Sequence, residues 1–181
     1  MQTILEQINS RLSRDGGARR LFHGRGRCFP GYEDLVIDWY SPVVLVMLYR
    51  VREERWLRLL VGQLKAALPD LAAVVLQERH LPGAPSRLLF GSLPDEVDAL
   101  EDGLRYRLRL MNAQNIGFFP DMKEGRGFVR HGAAGAKVLN LFAYSCSFSV
   151  AALAGGARSV VNVDMSRSAL ELGRLNHLIN G

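Results

Sequence analysis

Residues 137–150 read Lys137-Val-Leu-Asn-Leu-Phe-Ala-Tyr-Ser-Cys-Ser-Phe-Ser-Val150, and the chain continues through Gly155-Gly156 and Ser159-Val-Val-Asn-Val-Asp-Met-Ser166 to Gly181. The run Lys137–Phe142 is short, apolar and preceded by Gly135, which suits a strand buried on both faces of a parallel sheet. Tyr144–Ser147 follows as its exit loop. Phe148–Leu153 forms a compact helix with Ser145 or Ser147 placed as its cap, and the two glycines end it. The second run, Ser159–Val163, terminates in Asp164. Ser166 is placed to cap a further helix, whose Ala169, Leu172, Leu175 and Ile179 recur at helical spacing. The order is βαβα, the opening of a nucleotide-cofactor fold.

Parallel strands joined by helices bind ligands at their carboxyl ends, where loops and helix amino termini gather. An acid there, about twenty residues past the first loop, is placed to accept hydrogen bonds from the two hydroxyls of an adenosine ribose. Asp164 fits that role, and equally fits a solvated residue ahead of a helix. The first loop separates the cofactors. A dinucleotide presses its pyrophosphate against backbone and uses G-x-G-x-x-G, whereas Ala143-Tyr-Ser-Cys-Ser147 contains no glycine. A methionine tail tolerates larger loop residues while its carboxylate still gains from a helix amino terminus. S-adenosylmethionine is therefore favoured over NAD.

These residues, together with Gly155-Gly-Ala-Arg-Ser159, Val163-Asp-Met-Ser-Arg-Ser168 and the upstream Gly117-Phe-Phe-Pro-Asp-Met-Lys-Glu-Gly-Arg126, resemble class I methyltransferases of bacterial large-subunit ribosomal RNA, of the I and K/L types. The match is close from about Leu104 to Gly181 and looser over Leu21–Tyr49. Two positions depart from the family: Cys146 stands where glycine is usual, narrowing the space beside the methionine tail, and Pro120-Asp-Met-Lys123 replaces Leu-Asp-Gln-Arg. The resemblance implies an S-adenosyl-L-methionine site formed by Asp121, Asn140, Phe142, Ala143, Tyr144, Ser145, Cys146, Ser147, Asp164, Met165 and Ser166. Within it, Asp121 would meet the ammonium of the methionine tail. The implied partner is RNA, ribosomal in the family, modified on a cytosine carbon or a guanine nitrogen. No catalytic residue is assigned.

The net charge of the 181-residue chain is +5, mostly from arginine, which allows phosphate as a partner. A modest charge spread over the surface is also what a solvated exterior looks like. Cys28 and Cys146 are far apart and no secretory signal precedes them, so a reducing compartment, the cytoplasm, is expected. The helix expected over Met1–Arg14 carries Ile4, Leu5, Ile8 and Leu12 on one face, unlike a signal peptide, and Val43–Tyr49 is too short to cross a membrane. His23, His80, His131, His177 and the cysteines have no metal-ligand spacing.

Taken in order, Asp15-Gly-Gly breaks the first helix and Arg19–His23 forms a short strand. Gly24-Arg-Gly-Arg27 reads as a turn with solvated arginines or as an RNA-binding element. Leu35–Tyr40 and Val43–Tyr49 are antiparallel neighbours, and Arg52–Leu68 is an amphipathic helix with Glu54 paired to Arg58. Leu71–Gln77 and Arg87–Phe90 are strands, and Pro94–Gly103 is an acidic connector. Leu104–Leu110 places Arg105, Arg107 and Arg109 on one face and is expected to form a hairpin with Gln114–Phe119 across Met111-Asn-Ala. Those arginines track phosphate or mark the wet side of a ribbon. Asp121 and Glu124 form a capping box for a helix to about His131, whose Arg126 and Arg130 face RNA or water.

The expected fold class is α/β, with a small domain over 1–103, a bridging hairpin over 104–120, and the first two βα units of an incomplete Rossmann-like methyltransferase sheet over 121–181. Two such strands cannot cover their own faces, so Val138, Leu139, Val160 and Val161 are expected to be partly exposed and the chain to be a truncated or partner-completed form. An RNA methyltransferase represented by its amino-terminal part is the first functional reading. A noncatalytic RNA- or partner-binding module derived from one is the second.

Overall fold

A computed structural model describes residues 2–12, 16–111 and 114–181. Met1, Ser13, Arg14 and Asp15 of the expected first helix and its break, and Asn112 and Ala113 of the expected turn, lie outside the described residues. The chain divides into two compact units, one comprising 1–97 and 109–116 and the other 98–108 and 117–181.

The first unit starts with helix α1 (Gln2–Arg11), which buries Ile4 and Ile8, one turn apart. Strands β1 (Arg19–His23), β2 (Leu35–Tyr40) and β3 (Val43–Leu48) follow, then helix α2 (Glu54–Ala67), β4 (Ala73–Glu78) and β5 (Ser86–Gly91). They form one sheet in the order β1-β2-β3-β4-β5. Only β3 and β4 run parallel, and α2 is the crossover that such a pair requires. The near-continuous apolar sequences of β2 and β3 match their position at the middle of the sheet. Leu57, Leu60 and Leu64 of α2 pack with Leu21, Ile37, Val46 and Leu76 in the core. Each such burial contributes about 1.5–3 kcal/mol relative to exposure. Glu54 does not pair with Arg58 as its helical spacing suggests, because its carboxylate accepts from Arg87 at 2.5 Å.

In the second unit, β6 (Asp98–Glu101) pairs antiparallel with β7 (Leu104–Arg107). The expected hairpin between Leu104–Leu110 and Gln114–Phe119 keeps one backbone bond, Arg109 N to Ile116 O at 2.8 Å, but β7 itself pairs with β6 across Asp102-Gly103, both at positive φ (50° and 82°), as a two-residue hairpin demands. A 3-10 turn (Pro120–Met122) leads into α3 (Lys123–Gly132), and β8 (Lys137–Leu141), α4 (Ser147–Ala154), β9 (Ser159–Val163) and α5 (Arg167–Leu178) complete the unit. β8 and β9 are parallel, in the expected βαβα order, and the α/β class with an incomplete Rossmann-like half is borne out. Val138 and Val160 are half-buried, whereas Leu139, Leu141, Val161 and Val163 on the opposite face are exposed.

Four of the arginines expected to face RNA or water, Arg105, Arg107, Arg126 and Arg130, are engaged within this unit. Arg126, 2% exposed, pairs bidentately with Glu101 at 2.6 and 2.7 Å, donates to Phe119 O at 3.1 Å and lies over the Phe118 ring at 4.2 Å. Arg130 donates to Asp102 O at 2.8 Å. Arg105 and Arg107 both bind Asp98, at 2.6 Å each, and Arg109 falls beyond the end of β7. Among the described residues no helix is long and apolar enough to cross a membrane.

Candidate cofactor site

The register Leu141↔Val163 brings the two parallel strands to a common carboxyl end, so the loop after β8 and Asp164 after β9 meet there. Asp164 Oδ2 accepts from Tyr144 N and Oδ1 from Ser166 N, each at 2.8 Å. The N–H groups of Ser166 and Tyr144 hold the carboxyl below its ordinary range. One acid thus ties both strand ends together. Ser166 Oγ accepts from Ala169 N at 3.2 Å, the cap expected for α5.

The loop has an unusual backbone. Phe142, Tyr144 and Cys146 all occupy the left-handed region, at φ 56°, 46° and 60°. Residues with side chains pay about 1–3 kcal/mol each for this, strain of the kind that gathers at ligand sites. Ala143, Ser145 and Cys146 are buried, whereas Phe142 is 89% exposed; Met165, just past β9, is fully exposed. Ser145 Oγ donates to Gly117 O at 2.5 Å and Ser145 O accepts from Asn176 Nδ2 at 2.9 Å. The serine cap expected for α4 is therefore absent: Ser145 is held elsewhere, Ser147 is already the first helical residue, and Cys146 occupies the cap position without a side-chain bond.

The Cys146 thiol packs against Gly173 of α5, where a side chain would have no room. Burial, and then the charge of Asp164, push its pKa up to about 11. Its position against α5 and its raised pKa mark it as a packing group.

Asn140 points into a polar cluster on the helix-covered face of the sheet. Its Nδ2 donates to Ser149 Oγ at 2.8 Å and Asn162 Oδ1 at 3.3 Å, and Ser149 Oγ donates to Asn162 Oδ1 at 2.5 Å. Asp121 is exposed in the 3-10 turn. Asp121 is not the cap residue of α3 as expected: Pro120 opens the 3-10 turn with Asp121 inside it, and Met122 stands ahead of α3. The Phe119 and Tyr144 rings, 5.6 Å apart, bring the Asp121 segment to the loop.

Sequence reasoning missed the supports behind this loop: Gly117, Gly173 and Asn176. Asn176 Oδ1 accepts from Arg107 N at 2.8 Å, and Asn180 accepts from Arg105 N at 2.9 Å while donating to Arg105 O at 2.7 Å. Two asparagines four apart on one helix face were the available signal.

A parallel βαβα unit whose second strand ends in an acid, and whose first loop lacks the dinucleotide glycines, defines a Rossmann-like nucleotide-cofactor site. The chain belongs to the S-adenosylmethionine-dependent methyltransferase family, whose pattern matches residues 19–181. It is 33% identical over 174 residues to a ribosomal RNA large subunit methyltransferase of Deinococcus radiodurans, covering 92% of this chain and 42% of the relative. It is 31% identical over 156 residues to ribosomal RNA large subunit methyltransferase I of Alteromonas mediterranea, covering 83% and 39%. A solved methyltransferase complexed with S-adenosylhomocysteine superposes with a TM-score of 0.83 at 27% identity, covering 99% of this chain and 48% of that one. The chain thus spans about two-fifths of the length of these curated relatives.

Proposed function

We propose that the carboxyl ends of β8 and β9 hold the adenosine side of S-adenosyl-L-methionine, and that the activity served is methylation of large-subunit ribosomal RNA. The observation that carries the cofactor reading is the Asp164 carboxylate, fixed by Tyr144 N and Ser166 N at the meeting point of the two strands. The residues fit the group. An acceptor-only carboxylate suits two ribose hydroxyls, and the exposed Phe142 and Met165 offer apolar surface to an adenine ring.

In this reading Asp164 orients the ribose and Ala143–Ser147 supply the wall beside the methionine tail. Asp121 pairs with the tail ammonium, and Phe119 against Tyr144 keeps the Asp121 turn at the loop. Asn140 acts from behind, fixing β8 through Ser149 and Asn162. When bound, the cofactor supplies an electrophilic methyl group on a sulfonium. Fixing the donor against the acceptor is where such a protein gains most of its rate. The RNA substrate is proposed on the likeness to the two ribosomal RNA enzymes.

Isothermal titration with S-adenosylhomocysteine tests the cofactor assignment. Saturable binding that is lost in Asp164→Ala is expected, and equal binding by that variant would overturn it. Methylation of protein-free large-subunit RNA with tritiated cofactor, by the chain or by a longer protein containing it, tests the substrate.

A further inference from the structure

We infer that the first unit carries a binding surface for the phosphodiester backbone of single-stranded RNA, built around Tyr49 from Arg25, Arg27 and Arg50, while Arg79 at the same end is held by Gln114 O and Gln77 Oε1. The inference rests on the RNA reading above and adds to it a surface formed by residues other than those of the cofactor site.

The topology collects these side chains. β1, β3 and β4 run in one direction, because β1 and β3 are each antiparallel to β2 and β4 is parallel to β3. The loops that leave their carboxyl ends therefore lie at one end of the sheet. Arg25 and Arg27 follow β1, Tyr49 and Arg50 follow β3, and Arg79 follows β4. The Arg25 guanidinium sits 4.2 Å from the Tyr49 ring centroid and that of Arg79 5.9 Å from it, so the three loops converge on one aromatic ring.

Charge accounting favours an anion. Asp34, the buried acid of this end, is already neutralised by Arg52 through a bidentate pair. The Glu33 carboxylate accepts from Gly31 N at 3.1 Å and opposes Arg50. Arg25 and Arg27 are exposed, and Arg25 is held on the ring face, a contact that leaves its N–H donors for phosphate. With Arg25 stacked on Tyr49, the surface presents guanidinium groups to phosphates and the outer plane of Arg25 to a base, contacts suited to a single strand.

The first of these loops is anchored. Gly24 N donates to Leu35 O at 2.8 Å, and a side chain at Gly24 would collide with the Tyr32 carbonyl. Phe29 and Tyr32 pack on Phe22 at 4.9 and 6.0 Å. Arg25 and Arg27 thus ride on a fixed turn, which lowers the ordering cost of binding.

The test is fluorescence anisotropy of the 181-residue chain with a labelled oligouridylate of about twenty nucleotides, titrated between about 50 and 200 mM salt. Arg25→Gln/Arg27→Gln/Arg50→Gln is expected to weaken binding at least tenfold and to flatten the log–log salt slope by about 2, three contacts at about 0.7 each. Arg55→Gln/Arg58→Gln/Arg174→Gln, which removes equal charge from exposed helix faces, should lose much less; an equal loss in the two triples would overturn the proposal. Arg50→Glu alone, a single exposed change, should weaken binding in the same direction if the triple proves unstable, and no change would count against the surface. An oligodeoxyuridylate run in parallel separates the two sources of the backbone: tighter RNA binding supports the proposal, and tighter DNA binding overturns its RNA assignment. Polyglutamate displacing the oligouridylate at equal charge concentration would point to an acidic protein instead and also overturn it. S-adenosylhomocysteine titration of the same samples keeps the outcomes apart, since the triple should bind it as the parent does.

Discussion

Cys146 and Gly173 occupy one space: a Cβ built on Gly173 would lie 3.0 Å from Cys146 Cβ and overlap its sulfur. The departure from a glycine loop at position 146 is matched by a glycine on the helix that faces it.

Gly173→Ala should therefore destabilise the chain by about 1–3 kcal/mol through overpacking. Cys146→Gly frees the space and suits the left-handed φ of 60°. The double variant should be more stable than the sum of the single effects, measured by urea unfolding as a double-mutant cycle. Strict additivity would show that the two residues do not share a site.

The same thiol gives a pH prediction. Its folded pKa of about 11 lies above the ordinary 9.0, so the folded state holds the proton more tightly. The stabilisation is fully present below pH 9 and is lost as pH rises toward 11. At pH 8, Ellman's reagent should label Cys28, which is exposed, and reach Cys146 only on unfolding. Rapid labelling of both thiols in the native chain would contradict this.

Glu101 and Arg126 hold the β6–β7 hairpin to α3 with both side chains almost fully buried. Arg126→Met leaves a buried carboxylate alone and should cost about 3–5 kcal/mol. Adding Glu101→Gln should recover part of that loss in chemical denaturation. No recovery would assign the effect to the Phe118 contact.

Asp164→Asn retains an acceptor for one backbone N–H and loses the charge. It should weaken S-adenosylhomocysteine binding about tenfold or more, as expected when a charged hydrogen-bond acceptor is neutralised. Because the N–H groups of Ser166 and Tyr144 hold the Asp164 pKa below 3.8, the parent should keep its affinity between pH 7 and pH 5. The same carboxylate stabilises the fold above its ordinary 3.8, and that contribution fades as pH drops through the lower folded value. Affinity that halves between pH 7 and 5 would show that another group governs binding.

The βαβα order, the Ser166 cap and the acid after β9 were legible because strand period, cap chemistry and glycine stops agree there. The partner of β7 was misread although Asp102-Gly103 carries the strongest short-range hairpin signal, because the acidic residues around it suggested a connector. Asp121 and Glu124 satisfy the capping-box spacing, yet Pro120 shifts the first turn into 3-10 geometry. Arg126 was read as a surface charge since its spacing with Arg130 is helical; burial depends on Glu101, twenty-five residues away. Contacts of that separation leave no local trace in sequence. The Cys146–Gly173 match and the Asn176 support are of the same kind.

The asparagines of α5 have one more effect. The outer edge of β7, which would otherwise offer the N–H groups of Arg105 and Arg107 and the carbonyl of Arg105 to any passing strand, is occupied by Asn176 and Asn180. A helix thereby completes a two-stranded ribbon as a third strand would, and closes a surface on which chains of this kind could otherwise grow into fibres.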